Sequence, residues 1–182
     1  IGVPGFVKGL ERIHDEHGSL SIEELLQPAI DLAENGFQVN SILTERLQAA
    51  SGRLPVRQLE HFYPDGSAIK PGKTLYQPEL ARSLKMIQQE GADAFYKGEI
   101  GKKIAESIEG LNMADMNDYT VSKNDPVEGI FNGYQVYSVP PPFSGLTVIQ
   151  TLQMAEFMGI GLVDSESVDF IHLLAEISIK TY

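Results

Sequence analysis

At 182 residues, with 42% hydrophobic side chains, the chain carries enough apolar mass for one sizeable core. Its 25 acidic against 14 basic residues give a formal net charge of -11, which repels a phosphate backbone and excludes nucleic acid as an expected partner. There is no cysteine, so disulfides, thiolate metal sites and cysteine nucleophiles are excluded together, and no apolar run approaches the roughly 20 residues that a bilayer-spanning helix needs.

The chain opens on Ile1-Gly2-Val3-Pro4 without an initiator Met and closes on Lys180-Thr181-Tyr182 without a helix stop signal. Both ends read as cut from something longer, so the expectation is one partial domain over residues 1–182 with no internal linker. Apolar Phe6, Val7, Leu10 and Ile13 at helical spacing predict a first helix that ends at Gly18, a residue suited to a left-handed stop. Ser21-Ile22-Glu23-Glu24 has the spacing of a capping box, in which Ser21 caps the amide of Glu24 and Glu24 reaches back. A second helix then runs to Asn35-Gly36, with Pro28 inside it implying a kink or a fresh start. A third covers 41–50, with Ile42, Leu43 and Leu47 turned inward.

Residues 61–78 are dense in turn formers, including Pro64-Asp65-Gly66 and Pro71-Gly72, and predict a long surface loop of the kind that often carries function. Helical spacing returns over 79–89 and again over about 92–108, where Gly98 and Gly101 weaken the pattern, followed by a short turn at 115–119. Two runs rich in Val, Ile, Phe and Tyr flank Asn132-Gly133, so 127–139 predicts an antiparallel hairpin. Pro140-Pro141-Pro142 should then lie extended. Ser144 can cap a helix over 146–158 with few polar positions, expected to be buried on most sides, and a last helix opens near Ser165. The fold class is therefore α+β, mainly helical with one β-hairpin.

These residues bring no self-evident chemistry. Most carboxylates fall on the polar faces of helices, where solvation accounts for them. His14 and His17 are three apart, but neither their spacing nor their neighbours match a zinc ligand set. His172 and Glu176, four apart on one helix face, read as an intrahelical pair. No phosphate-binding glycine loop follows a strand, and Ser144-Gly145 lacks the leading glycine of a nucleophile elbow. No catalytic, cofactor-binding or metal-binding residue is assigned, and no cofactor is implied.

Six segments occur in an order that resembles the large subunit of γ-glutamyltranspeptidases, whose relatives include capsule-processing transpeptidases and cephalosporin acylases. They are VPGFVKGLE (3–11), GSLSIEELLQPAIDLAENGFQV (18–39), QPELARSLKMIQQEGADAFYKGEI (77–100), DMNDYTV (115–121), GYQVYSVPPPFSG (133–145) and HLLAE (172–176). The pattern departs at Phe143 and Leu146, where many members carry small residues, and this bears on the substrate class.

The resemblance implies a four-layer αββα N-terminal-nucleophile hydrolase made as a self-cleaving proenzyme. In such enzymes a threonine hydroxyl attacks a γ-glutamyl amide, such as glutathione, with the threonine's own amine available as base. It also implies that the threonine opens a small subunit outside this chain, and that the arginine holding the substrate carboxylate precedes residue 3. None of Thr44, Thr74, Thr120, Thr147, Thr151 or Thr181 stands in the nucleophile motif. The expected partners are the rest of the large subunit, the small subunit and a γ-glutamyl small molecule; a homo-oligomer is compatible with this. Tyr134, Tyr137, Pro141 and Ser144 are within reach of a substrate cleft on this reading, although packing and turn formation account for them as well. A periplasmic or secreted protein fits the resemblance, while composition leaves the compartment open. A related acylase, acting on cephalosporin side chains or poly-γ-glutamate, and a non-catalytic helical assembly module are the alternative readings.

Overall fold

The computed structural model describes residues 2–182, which divide into two compact units, one ending at Val121 and one beginning at Ser122. The first is helical. Helix α1 (Phe6–His17) starts without a side-chain cap of its own, and Tyr96 supplies one from 88 residues away. Its hydroxyl accepts from the Lys8 amide at 3.1 Å and donates to the Pro4 carbonyl at 2.7 Å. One buried phenol thus satisfies an orphan amide of the first turn and a carbonyl of the segment leading into it. Burial and the stacked Tyr119 ring, at 5.6 Å and 6°, accompany this arrangement. Gly5 is needed beside it, because a Cβ at Gly5 would stand 2.7 Å from the Tyr119 Cζ. Gly18 ends α1 in an extended conformation, φ -68 and ψ 138, so the expected left-handed stop does not form. Its lack of a side chain still matters, since a Cβ would lie 2.5 Å from the His14 carbonyl oxygen.

Helix α2 (Ile22–Asn35) opens with the predicted capping box: the Glu24 amide donates to the Ser21 Oγ at 3.2 Å, and the Ser21 amide donates to the Glu24 carboxylate at 3.0 Å. It continues through Pro28 as one helix. Helix α3 (Ser41–Ala50) is capped by Asn40, whose Oδ1 accepts from the Leu43 amide at 2.8 Å. Leu43 and Leu47 pack inward as expected, but Ile42 is 64% exposed. Helix α4 (Pro78–Glu90) lies along α2, with small Ala33 and Ala81 buried and Glu34–Lys85 paired at 2.7 Å on the rim.

The single helix expected over 92–108 is two, α5 (Asp93–Tyr96) and α6 (Glu99–Ser107), broken at Lys97-Gly98. Gly98 is extended at the break, φ -91 and ψ -161, where a Cβ would meet the Ala94 carbonyl oxygen at 2.7 Å. Helix α7 (Met113–Asn117) is capped by Asn112 and closes the unit. Ala92, Tyr96, Leu111 and Met116 form its core, joined by Val3, Val7 and Ile104. A short ladder that the sequence did not announce, β1 (Phe37–Gln38) with β2 (Thr74–Leu75), closes a second cluster of Val39, Ile69 and Leu75.

The second unit contains the predicted hairpin, β3 (Val127–Phe131) paired antiparallel with β4 (Tyr134–Ser138), with Glu128 opposite Tyr137 and Phe131 opposite Tyr134. Asn132 and Gly133 take φ of 49° and 78°, the left-handed pair that a two-residue turn requires. Helix α8 (Gly145–Phe157) crosses the face carrying Val127, Gly129 and Val136. Gly129 permits this approach, since any Cβ there would overlap Ile149 Cγ2. Pro140 to Pro142 do not run extended: the Phe143 amide donates to the Pro140 carbonyl at 3.2 Å and closes a turn. Ser144 occupies the cap position of α8, yet its side chain makes no capping bond. A short 3₁₀ turn at Ile160–Leu162 precedes α9 (Val168–Thr181), which is capped by Ser167 and so opens close to Ser165, as expected.

Candidate functional site

Residues 59–76 hold the most deliberately fixed irregular backbone in the first unit. Tyr63, 1% exposed, donates its hydroxyl to the Leu47 carbonyl at 2.8 Å, and its amide donates to the Leu59 carbonyl at 2.8 Å. Buried Thr44 donates to the Ile69 carbonyl at 2.8 Å, the Ile69 amide to Phe62, and the Gly72 amide to Val39. Asp65 and Gly66 take consecutive left-handed φ values of 57° and 76°, which reverse the chain between the Tyr63 and Ile69 anchors. Asp tolerates this conformation better than most side chains do. The predicted surface loop is therefore a clamped segment whose apolar anchors point inward. Its outer side walls an open concavity of about 680 Å³, bordered by His61, Asp65, Ser67, Lys70, Lys73 and Tyr76.

The histidines do not converge on a ligand. His14 Nε2 lies 2.8 Å from the Leu20 carbonyl, His17 is 3.8 Å from Glu16, and among the described residues no cluster of three potential metal ligands occurs. The pair expected between His172 and Glu176 gives way to Glu176 with Lys180 at 3.3 Å, an i,i+4 ion pair. Three threonines are engaged with the main chain: Thr44 Oγ1 with Ile69, Thr151 Oγ1 with Thr147 and Thr181 Oγ1 with Ile177, each donating to a carbonyl. A hydroxyl that gives its proton to an amide carbonyl has no base there to activate it. Of the residues placed near a substrate cleft by the resemblance, Tyr137 lies on the face of the hairpin away from α8 and is 60% exposed; Tyr134 is 73% exposed. Pro141 and Ser144 are exposed in the turn before α8.

Perturbed ionisation marks the framework rather than a reactive centre. Burial pushes the Tyr96 phenol above its ordinary value, opposed by the bond from the Lys8 amide. The bond to Glu11 raises Lys8, whose Nζ sits 2.7 Å from that carboxylate. Glu24 is held below the usual carboxylate range by the Ser21 amide and hydroxyl, and Glu99 by Lys103.

The second unit exposes an unusual amount of apolar surface. Helix α8, expected to be buried on most sides, buries Ile149 but leaves Leu146, Val148 and Phe157 exposed, Phe157 at 90%. Helix α9 buries Ile177 and exposes Val168, Ile171, Leu174 and Ile179.

Against proteins already characterised, the family model for gamma-glutamyltranspeptidase matches residues 1–182. The capsule biosynthesis protein CapD proenzyme of Bacillus anthracis is 50% identical over 156 residues, covering 86% of this chain and 29% of the relative. The glutathione hydrolase proenzyme of Bacillus subtilis is 35% identical over 182 residues, covering 97% and 31%. The crystal structure of the Bacillus anthracis transpeptidase CapD superposes with a TM-score of 0.94 at 45% identity, covering all of this chain and 65% of the crystallised one. The chain thus spans under a third of the length of these two proenzymes. With a superposition that covers the whole chain and a family match from end to end, the chain belongs to the gamma-glutamyltranspeptidase family.

Proposed function

We propose that the whole protein is a γ-glutamyl hydrolase or transferase made as a proenzyme, and that residues 1–182 supply framework from its large subunit. The observation carrying this reading is the pairing of an end-to-end family match with a chain in which Thr44, Thr151 and Thr181 each donate to a main-chain carbonyl instead of a base. The exposed apolar faces of α8 and α9 support it as well, because a large contiguous apolar surface on a soluble protein ordinarily meets a partner. On this reading the remaining large subunit and the small subunit cover those faces, in the four-layer αββα arrangement. The small subunit brings the threonine whose hydroxyl attacks the γ-glutamyl carbonyl; its own amine takes the proton, and water or an amine accepts the acyl group.

The test is release of p-nitroaniline from γ-glutamyl-p-nitroanilide by the full-length protein and, separately, by residues 1–182 alone. Activity in the first and none in the second is expected. An inactive full-length protein overturns the function, and an active 182-residue chain overturns the framework role.

A second reading of the acyl donor is favoured by the higher identity to a capsule biosynthesis proenzyme, 50% against 35% for a glutathione hydrolase. Here the substrate is poly-γ-glutamate rather than a small peptide. Bulky, exposed Phe143 and Leu146 beside the cap of α8 fit a substrate preference that differs from members with small residues there. Parallel rates on polymeric and monomeric γ-glutamyl donors distinguish the two.

A further inference from the structure

The dipeptide Asn-Gly occurs twice, at 35–36 and at 132–133, and the fold treats the two differently. Asn35 lies in the last turn of α2, where the helical main chain keeps its side-chain carbon and the next amide nitrogen apart until that turn unwinds. Gly36 is also hemmed in by β2: a Cβ there would stand 2.6 Å from Thr74 Cγ2 and 2.9 Å from the Leu75 carbonyl oxygen. Asn132 and Gly133 form the exposed tip of the β3–β4 hairpin, and a Cβ on Gly133 would meet no atom beyond its chain neighbours within 4 Å. The Asn132 side chain has no hydrogen-bond partner among the described residues, whereas Asn40 and Asn112 are tied up as helix caps, their Oδ1 atoms accepting from the Leu43 and Ala114 amides at 2.8 Å each. Asn117 and Asn124 precede Asp118 and Asp125, whose side chains crowd the next amide and whose negative charge disfavours its ionisation. Among the described asparagines, Asn132 alone combines an untethered side chain, a following glycine and open space around that glycine.

Independently of the enzymatic reading, we propose that Asn132-Gly133 is a self-modifying site, at which the hairpin turn converts to isoaspartate. The Gly133 amide nitrogen, its proton lost to solvent base, attacks the side-chain carbon of Asn132, and no Cβ screens that approach. The bond from this carbon to the side-chain nitrogen breaks, the nitrogen takes up a proton and leaves as ammonia, and a succinimide ring closes. Water then opens the ring. Cleavage of the new bond leaves aspartate; cleavage of the original peptide bond leaves isoaspartate, whose main chain runs through the side-chain methylene. Either product adds a negative charge to a protein already at -11. Isoaspartate also lengthens a two-residue turn in which both residues take left-handed φ, so the neighbouring pair, Phe131 with Tyr134, loses register first.

Incubation of the full-length protein in heavy-oxygen water, at neutral and at mildly alkaline pH, is the experiment, followed by peptide mapping that separates aspartate from isoaspartate. Label should enter at Asn132 at least tenfold faster than at Asn35, faster still at the higher pH, with isoaspartate the larger product. In guanidinium chloride, where the two sites share only their dipeptide, the two rates should converge. The isoaspartate form, separated by anion exchange, should lose amide protection over residues 127–138 in hydrogen exchange. Asn132→Gly, which keeps two turn residues that accept positive φ, should produce no acidic species from this position. Equal labelling at Asn132 and Asn35 in the folded protein, a tenfold gap that persists in denaturant, aspartate as the main product, or undiminished protection in the separated form overturns the proposal.

Discussion

Tyr96 shows how one side chain can do the work of two. Its hydroxyl is both the missing cap of α1 and the anchor for the segment leading into it, and the ring fills the core between Ala92 and Met116. Tyr96→Phe keeps the ring and leaves the Lys8 amide and the Pro4 carbonyl without their shared partner, so a loss of about 1–3 kcal/mol is expected in urea denaturation. Because folding raises the phenol's pKa, the folded state holds this proton more tightly than the unfolded chain does. Its stabilisation is complete below the ordinary tyrosine value and declines as the pH rises through the folded one. Glu24 has the opposite sign: its carboxyl titrates lower when folded, so its contribution is complete above the ordinary carboxylate range and is lost as the pH falls through the folded value. A side-chain NMR titration should place Glu24 below the usual carboxylate range, and Ser21→Ala, which removes the hydroxyl but keeps the amide, should raise it only part of the way back. The Ser21–Glu24 box was legible in the sequence because both partners sit three residues apart. The Tyr96 cap was not, since 88 residues separate donor and acceptor and nothing local marks the pair.

At the level of elements, local signals carried far and failed where chain segments meet. The capping box, the 41–50 helix and the Asn132-Gly133 hairpin all form where spacing put them. The helix expected over 92–108 breaks at Gly98, whose extended backbone leaves no room for a Cβ beside the Ala94 carbonyl, a local break that the periodicity of Phe95, Ile100 and Ile104 conceals. The two-residue strands β1 and β2 are too short for any alternation, and a loop expected at the surface turned out to bury Tyr63 and Ile69. The candidate concavity was legible only as an unusually long run of turn formers; the anchors beneath it needed coordinates. Gly129 is the element-scale test. Gly129→Ala places a methyl into Ile149, so about 1–3 kcal/mol of overpacking is expected. Loss of amide protection over β3 and β4 in hydrogen exchange, with α2 and α4 unchanged, would show that the cost is paid at the α8 contact.

For the whole molecule, the backbone between the two units is the exposed run 122–126, with no helix or strand. Limited proteolysis should cut there first and release a stable product ending near Val121; initial cleavage within 59–76 would contradict the clamping described above. The apolar faces of α8 and α9 make a second prediction at this scale. Residues 1–182 produced alone should bind a hydrophobic dye and associate as concentration rises, whereas the full-length protein should do neither. A monomeric, dye-silent 182-residue chain would contradict it.

The β3–β4 ribbon adds a handling consequence. Among the described residues it has no third strand, so its outer rails offer main-chain donors and acceptors to whatever extended peptide comes near. Synthesised without companions, such a ribbon is a template for its own copies, held apart chiefly by mutual repulsion between molecules at -11. Acidic buffer or high salt, by muting that repulsion, would turn a soluble preparation into a precipitate that begins at residues 127–138.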